Sequence, residues 1–322
     1  MPEHEIAVVS GKGGTGKTTV AAALAVLAGE AAQADADAKV VLADCDVDAA
    51  NLFLILRPTR REEHVFPGPP AAVIDPDLCS GCGVCVRACR SGAVTRPPAV
   101  DRSACEGCGV CARVCPAGAV KMVETIGGHW LVSDTPYGPL VHARLEPGGE
   151  NSGRLVTLVR KEARRVAEAE GRRLIIIDGP PGIGCPVLGT LAGVDLALVV
   201  TEPTVSAIHD LERVMAVIRH FGVRALAVVN RYDLDRDNTK TIEGRCAEAG
   251  VEVVARLPYD LEVVRALAEG KSIVERRPDR ETAARLRGLW ERLAALLEKA
   301  PEQNKHTKGA RLGEENSVAG GR

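Results

Sequence analysis

Two groups of residues in this sequence have types and spacings suited to chemistry. The first is Ser10-Gly11-Lys12-Gly13-Gly14-Thr15-Gly16-Lys17-Thr18-Thr19, in which Gly11, Gly16, Lys17 and Thr18 satisfy the phosphate-loop pattern. In such a loop the glycines let consecutive backbone N–H groups converge on phosphate oxygens. The helix that follows offers its positive N-terminal end, Lys17 offsets the charge of the β and γ phosphates, and the Thr18 hydroxyl suits Mg²⁺. The expected ligand is a nucleoside triphosphate with Mg²⁺.

The second group is cysteine-rich. Cys79, Cys82, Cys85 and Cys89 recur 26 positions later as Cys105, Cys108, Cys111 and Cys115, and eleven of the sixteen positions from Cys79 to Val94 are identical in the copy. Each run reads C-x2-C-x2-C-x3-C, the spacing of bacterial two-cluster ferredoxins, in which the fourth cysteine of one run serves the other cluster. The pattern therefore predicts one 4Fe-4S cluster on Cys79, Cys82, Cys85 and Cys115 and a second on Cys105, Cys108, Cys111 and Cys89. Zinc also accepts four thiolates, but three of them at three-residue steps with a distant fourth is the cluster pattern rather than that of paired zinc knuckles. The proline that usually follows the fourth cysteine is present as Pro116, whereas Arg90 stands after Cys89. A buried guanidinium there would raise the second cluster's potential by stabilising its reduced state.

These residues need a scaffold, and the apolar runs describe it. Ile6-Ala7-Val8-Val9 before the loop and Val20 to Ala28 after it read as strand and helix. Lys39 to Ala43, Leu174 to Ile177, Asp195 to Val200, Ala225 to Val229 and Val251 to Ala255 are short apolar runs of the kind found in parallel strands buried on both faces. Asp44, Asp46 and Asn51 follow one such strand and Asp178 ends another, at the carboxyl edge where ligands bind in open parallel sheets. Residues 31–38 read as an exposed turn, Arg57 to Asp77 as a Pro-, Arg- and Gly-rich linker, and Gly127 to Glu146 as a β-hairpin returning from the cysteine-rich insert. Arg154 to Ala169, His209 to Phe221 and Arg280 to Ala300 read as helices. The last has a leucine and tryptophan stripe expected to pack on the sheet, and residues 301–322 read as a disordered tail.

Lys12, directly after the first loop glycine, resembles the deviant Walker A signature of the MinD/ParA/Mrp family, to which the nitrogenase iron protein is related. The resemblance covers about residues 1 to 300 and implies an ATP-dependent homodimer in which Lys12 reaches the partner's nucleotide. It further implies that Asp46 orients the attacking water, that Asn51 senses the nucleotide beside Asp44, and that Asp178 holds Mg²⁺ together with Thr18. Gly179 to Cys185 resembles switch II of the Mrp branch. Cys185 stands at the offset where the iron protein carries an intersubunit cluster cysteine, which makes it a speculative interface ligand, although a second such cysteine has no clear counterpart here. Asn230 and Pro258 resemble the two walls of the family's base pocket.

Composition bounds the remaining choices. With 322 residues, 46% hydrophobic and 26% charged, the chain has the size of one large domain plus an insert. A net charge of −2 supplies no electrostatic reason to expect nucleic acid, and eleven cysteines in a chain this long point to metal rather than to a disulfide scaffold. The absence of a long apolar run and of a basic leader argues for a cytoplasmic location without membrane association. The expected fold is α/β, a three-layer P-loop NTPase with a mostly parallel sheet and an inserted α+β ferredoxin-like module. The expected division is 1–60 and 126–300 for the ATPase, 61–125 for linker and module, and 301–322 for the tail. Three functions fit: an ATPase coupled to electron transfer with a redox partner, a nucleotide-gated carrier serving an iron-sulfur client, and a positioning ATPase.

Overall fold

Ile6 and Val8 point to one side of the first strand and Ala7 and Val9 to the other, and all four are fully buried. A strand with no polar face must be covered on both sides, and the rest of the chain does this. The computed structural model describes residues 2–34, 39–96, 98–146 and 152–298. β1 (His4–Ser10) leads through the phosphate loop into α1 (Lys17–Ala34), β2 (Val40–Asp44), α2 (Leu52–Leu56) and β3 (Thr59–Pro67). The cysteine-rich stretch follows with β4 (Ala71–Ile74), α3 (Val84–Ala88), β5 (Val94–Thr95), β6 (Ala99–Val100), α4 (Val110–Arg113) and β7 (Val120–Val123). Then come the hairpin strands β8 (Ile126–Thr135) and β9 (Gly138–Leu145), α5 (Ser152–Ala169), β10 (Leu174–Pro181), α6 (Cys185–Leu191), β11 (Leu196–Thr201) and α7 (Val205–His220). The chain continues with β12 (Arg224–Asn230), α8 (Arg236–Glu248), β13 (Glu252–Leu257), α9 (Leu261–Ala268), α10 (Ile273–Arg276) and α11 (Glu281–Glu298).

The main sheet has the order β13-β12-β11-β1-β10-β2-β9-β8-β3. It is parallel from β13 to β9, and only the β9-β8 and β8-β3 pairings are antiparallel. One core joins α1, α10 and α11 to the face bearing Ile6, Leu42, Ile176 and Leu198; the other joins α5, α7 and α8 to the face bearing Ala7, Val41, Ile177 and Val199. From Val20 to Ala28 every side chain of α1 is buried, because the small alanines let neighbouring helix and sheet approach on all sides. Leu286, Leu289 and Leu293 of α11 are buried in the first core, so its apolar stripe is spent on the sheet layer as expected.

Three boundaries differ from the sequence reading. Residues 59–67, expected within a linker, form the outermost strand of the main sheet. Thr59 to Pro67 pairs with β8 from Asp134 to Ile126, and only Phe66 in it is buried. Its polar, arginine-rich composition reflects an exposed edge strand, in which alternation carries little apolar signal. The main sheet thus continues to Pro67. Helix α1 runs on to Ala34, into the low-complexity stretch expected to form a turn; residues 35–38 lie outside those described. β10 extends past Asp178 to Pro181, so the expected switch II segment begins as strand. The tail at 301–322 is likewise outside the described residues.

Candidate functional site

The parallel register carries the carboxyl ends of β1, β2, β10, β11 and β12 to one edge, and with them the chemistry-bearing residues. Gly16 takes a φ of +95°, a conformation that disfavours any side chain, and a β-carbon there would strike the Asn230 amide. Lys17, 6% exposed, opens α1, and its Nζ lies 3.8 Å from Asp46 Oδ2. Asp178 is fully buried and neither of its carboxylate oxygens has a hydrogen-bond partner. Burial pushes its pKa up, against the pull of the Lys17 charge and of Thr18. Asp44, paired in register with Asp178, is also fully buried. Its oxygens accept the Asp46 and Leu52 N–H groups at 3.2 and 3.1 Å, and burial followed by the Asp178 charge holds its pKa well above the carboxylate range. Asp46 is raised as well, again by burial first, with Lys17 pulling the other way. Beyond burial, the Asp178 and Asp46 charges raise the Asp44 pKa and the Asp46 charge raises that of Asp178, while the Lys17 charge opposes this at Asp46 and Asp178, so the four groups are electrostatically linked.

The other expected residues differ in burial. Gly13 and Gly14 are exposed on the rim of the loop, Thr15 is buried, and Thr18 and Thr19 are half-buried at the start of α1. Asn51 is exposed at the N-cap of α2 and makes no side-chain capping bond. Asn230 donates its amide to the Thr15 carbonyl at 2.8 Å, so it braces the phosphate loop. Pro258 is half-buried just past the end of β13. Lys12, which the resemblance sends across a dimer, folds back within its own chain: Nζ is 2.9 Å from Glu202 Oε1 and within 3.4 Å of the Thr204 and Ser206 hydroxyls. Arg231 holds the other Glu202 oxygen at 2.8 Å from a left-handed backbone, φ +53°. Sequence reasoning missed Glu202; its place just beyond the β11 run, on the same sheet edge, was the available signal.

A match to the nucleotide-binding domain model described as CobQ/CobB/MinD/ParA spans residues 6–273. The chain belongs to that family. Among its relatives are two Methanocaldococcus jannaschii proteins. One, an uncharacterized protein, is 31% identical over 264 residues, 82% of this chain and 87% of its own. The other, an uncharacterized ATP-binding protein, is 30% identical over 283 residues, 86% of this chain and 83% of its own. The cytosolic Fe-S cluster assembly factor NBP35 of Eremothecium gossypii is 27% identical over 122 residues, 33% of this chain and 37% of that protein. In fold, the Pyrococcus horikoshii septum site-determining protein MinD complexed with Mg-ADP superposes with a TM-score of 0.57 at 22% identity, over 92% of this chain and 99% of that one. This member of the CobQ/CobB/MinD/ParA nucleotide-binding family thus has a MinD-like α/β fold.

The cysteine-rich stretch forms its own small core beside that fold. β4 pairs with β7, β5 with β6, and Cys85 and Cys111 are buried with Ala72, Val94 and Val120 while Cys89, Cys105 and Cys115 pack against them. Cys82 and Cys108 are exposed. The Ala119 N–H donates to Cys115 Sγ at 3.3 Å, and the Val84 N–H and then the Ser80 hydroxyl hold the Cys82 thiol below its usual range. Four thiolates on one zinc would stand about 3.8 Å apart, from a Zn–S distance of about 2.3 Å. Among the described residues no three Cys, His, Asp or Glu are gathered as a single-ion site. Arg90 is exposed, so the buried guanidinium considered for the second cluster is absent.

Cys185 is exposed at the start of α6, and the α5 backbone at Gly153 comes so close that a β-carbon there would sit 3.3 Å from Cys185 Cβ. Cys45 and Cys246 are buried, and burial pushes the Cys246 thiol up to about 11. No described helix is long and apolar enough to cross a membrane.

Proposed function

We propose that this ATPase couples a dimeric MinD-type nucleotide cycle to electron transfer through two 4Fe-4S clusters. The observation that carries the reading is how the duplicated cysteine module is attached. Asp46 and Asn51 lead directly into α2, α2 into β3, and β3 pairs with β8 as far as Pro67 and Ile126, the root of the module. There the Gly68 N–H donates to the Thr125 carbonyl at 2.9 Å and the Thr125 hydroxyl to the Pro69 carbonyl at 2.7 Å. A movement of the Asp46 segment is therefore passed along paired backbone rather than through a slack linker.

In the ATPase, Lys17 and the loop N–H groups hold the phosphates, and Asp46 positions the attacking water. Thr18 and the buried Asp178 would hold Mg²⁺, which would supply charge stabilisation at the phosphoryl group. Lys12 leaves Glu202 to serve the partner subunit's nucleotide. In the module, Cys79, Cys82, Cys85 and Cys115 would hold one cluster and Cys105, Cys108, Cys111 and Cys89 the other, each supplying one-electron chemistry. The test is anaerobic iron and sulfide analysis followed by redox titration without nucleotide and with MgADP or MgATP. A tenfold difference in nucleotide affinity between redox states appears as a shift of about 59 mV for one electron. About eight irons per chain with such a shift bears the reading out; potentials indifferent to nucleotide refute the coupling.

A second reading, a nucleotide-gated carrier of iron-sulfur units, is favoured by the exposed Cys185 beside the switch II segment and by the partial likeness to an Fe-S cluster assembly factor. Iron that leaves to an apo-acceptor in the presence of MgATP, and is retained in Cys185→Ser, would support it over a fixed relay.

A further inference from the structure

We propose that Arg96 makes the two halves of the cysteine module electronically unequal, so that the site of Cys79, Cys82, Cys85 and Cys115 takes the first electron. This rests on the two-cluster reading and adds a direction to it. The halves are related by 26 residues, so each loop has an internal control. Gly83, between Cys82 and Cys85, has φ +69°, and Gly109, between Cys108 and Cys111, has φ +71°. A β-carbon on Gly83 would collide with Arg96 Nη2 and lie 2.8 Å from Cζ and 3.1 Å from Nε, whereas one on Gly109 would meet nothing within 4 Å. A guanidinium is therefore packed on Gly83 of one cysteine loop, and nothing lies within 4 Å of the matching position on Gly109 of the other.

The asymmetry has a topological cause. Arg96 lies in the turn that joins β5 to β6, and its counterpart by the repeat is Met122 in β7, whose chain runs out to the β8 stalk instead of turning back. A second difference acts in the same direction: Ser80 follows Cys79, where Glu106 follows Cys105. Reduction makes a cluster more negative, so a nearby cation raises its potential and a nearby carboxylate lowers it. Arg87 and Arg113 are counterparts in the two helices and cancel. Arg90 adjoins Cys89 of the other site and works the opposite way, but it is exposed and follows the loop instead of lying on it.

The test is an anaerobic potentiometric titration of the full chain, poised with dithionite and mediators and followed by EPR, with iron and sulfide measured on every sample. Wild type should show two separated one-electron waves. In Arg96→Gln the higher wave should fall by up to about 59 mV, a tenfold change in electron partition, with the lower wave moving much less. Arg96→Lys should keep the wild-type separation and Arg90→Gln should leave the higher wave in place. Because Arg96 is exposed, the wild-type separation should also narrow between low and high salt. Equal movement of both waves, movement of the lower alone, or a separation indifferent both to Arg96→Gln and to salt overturns the inference while the two-cluster reading stands. A wild-type chain that binds far fewer than about eight irons removes that reading, and this inference with it.

Discussion

Replacing Arg160 by methionine tests how the strand that opens the ATPase is tied to the helix that follows the switch II segment. Arg160 and Glu5 are 5% and 4% exposed, and Nη2 meets Glu5 Oε2 at 2.6 Å. Nη1 meets the Gly189 and Ala192 carbonyls of the α6 turn at 2.7 and 2.8 Å. Removing one partner of a buried pair costs about 3–5 kcal/mol. Arg164 also contacts Glu5, at 3.0 Å, and remains, which places the expected loss near the low end, about 3 kcal/mol. For a domain of this size that is a fall of roughly 10 °C in Tm.

The pH dependence separates this cause from a generic packing defect. In the wild type burial works to raise the Glu5 pKa, but the Arg164 hydrogen bond and the Arg160 and Arg164 charges outweigh it and leave it lowered. Its stabilisation is therefore complete above the unfolded carboxyl's range and lost only as pH falls through the lower folded value. In Arg160→Met the Arg160 charge and hydrogen bond no longer oppose burial, so the Glu5 carboxyl shifts toward its protonated form and the variant gains less stability than the wild type as pH rises. The Tm difference between variant and wild type, from far-UV circular dichroism without nucleotide, should be larger at pH 7.5 than at pH 5. A difference below about 3 °C, or one independent of pH, would refute the reasoning.

Lys17→Ala and Asp46→Asn should each lower ATP hydrolysis by at least about a hundredfold, as loss of a group that stabilises transition-state charge does, while iron content stays at the wild-type level. Loss of both functions together would mean that the module and the ATPase fold as one unit. Cys85→Ser and Cys111→Ser should each reduce iron from about eight to about four per chain; complete loss from either would contradict two sites that fill separately. His142, whose ring nitrogen pairs with the Ser133 hydroxyl at 2.9 Å, is held down to about 4 by burial and then by Arg144. Its neutral form therefore stabilises the fold above the free imidazole range, and that contribution, about 3 kcal/mol at most, is lost as pH falls from 6.5 toward 4. His142→Gln should flatten the stability-pH curve there, and an unchanged slope in urea unfolding would refute the assignment.

Much of the site was legible because its signals are local. A phosphate loop is built from consecutive N–H groups and one helix end, so spacing alone placed Gly11 to Thr19, and doubly buried strands announce themselves as unbroken apolar runs at Ile6, Leu174 and Leu226. The duplicated cysteines were legible for the same reason, each loop being a few residues long. β3 was not legible, because an edge strand with one buried residue has no apolar period and its composition is that of a linker.

The sequence by itself pointed to the nucleotide-binding class, the layered sheet, and the residues 11–19, Asp44 and Asp178 at its carboxyl edge, since these signals are carried by neighbours along the chain. Only the tertiary structure decided that Lys12 rests on Glu202, that Asn230 braces Thr15, that Asp178 is fully buried in register with Asp44, and that Arg96 lies on Gly83 and not on its counterpart. Each of these joins residues distant in sequence or breaks an internal repeat. Such pairings depend on which strand ends meet and which loops turn back, and residue spacing does not encode that.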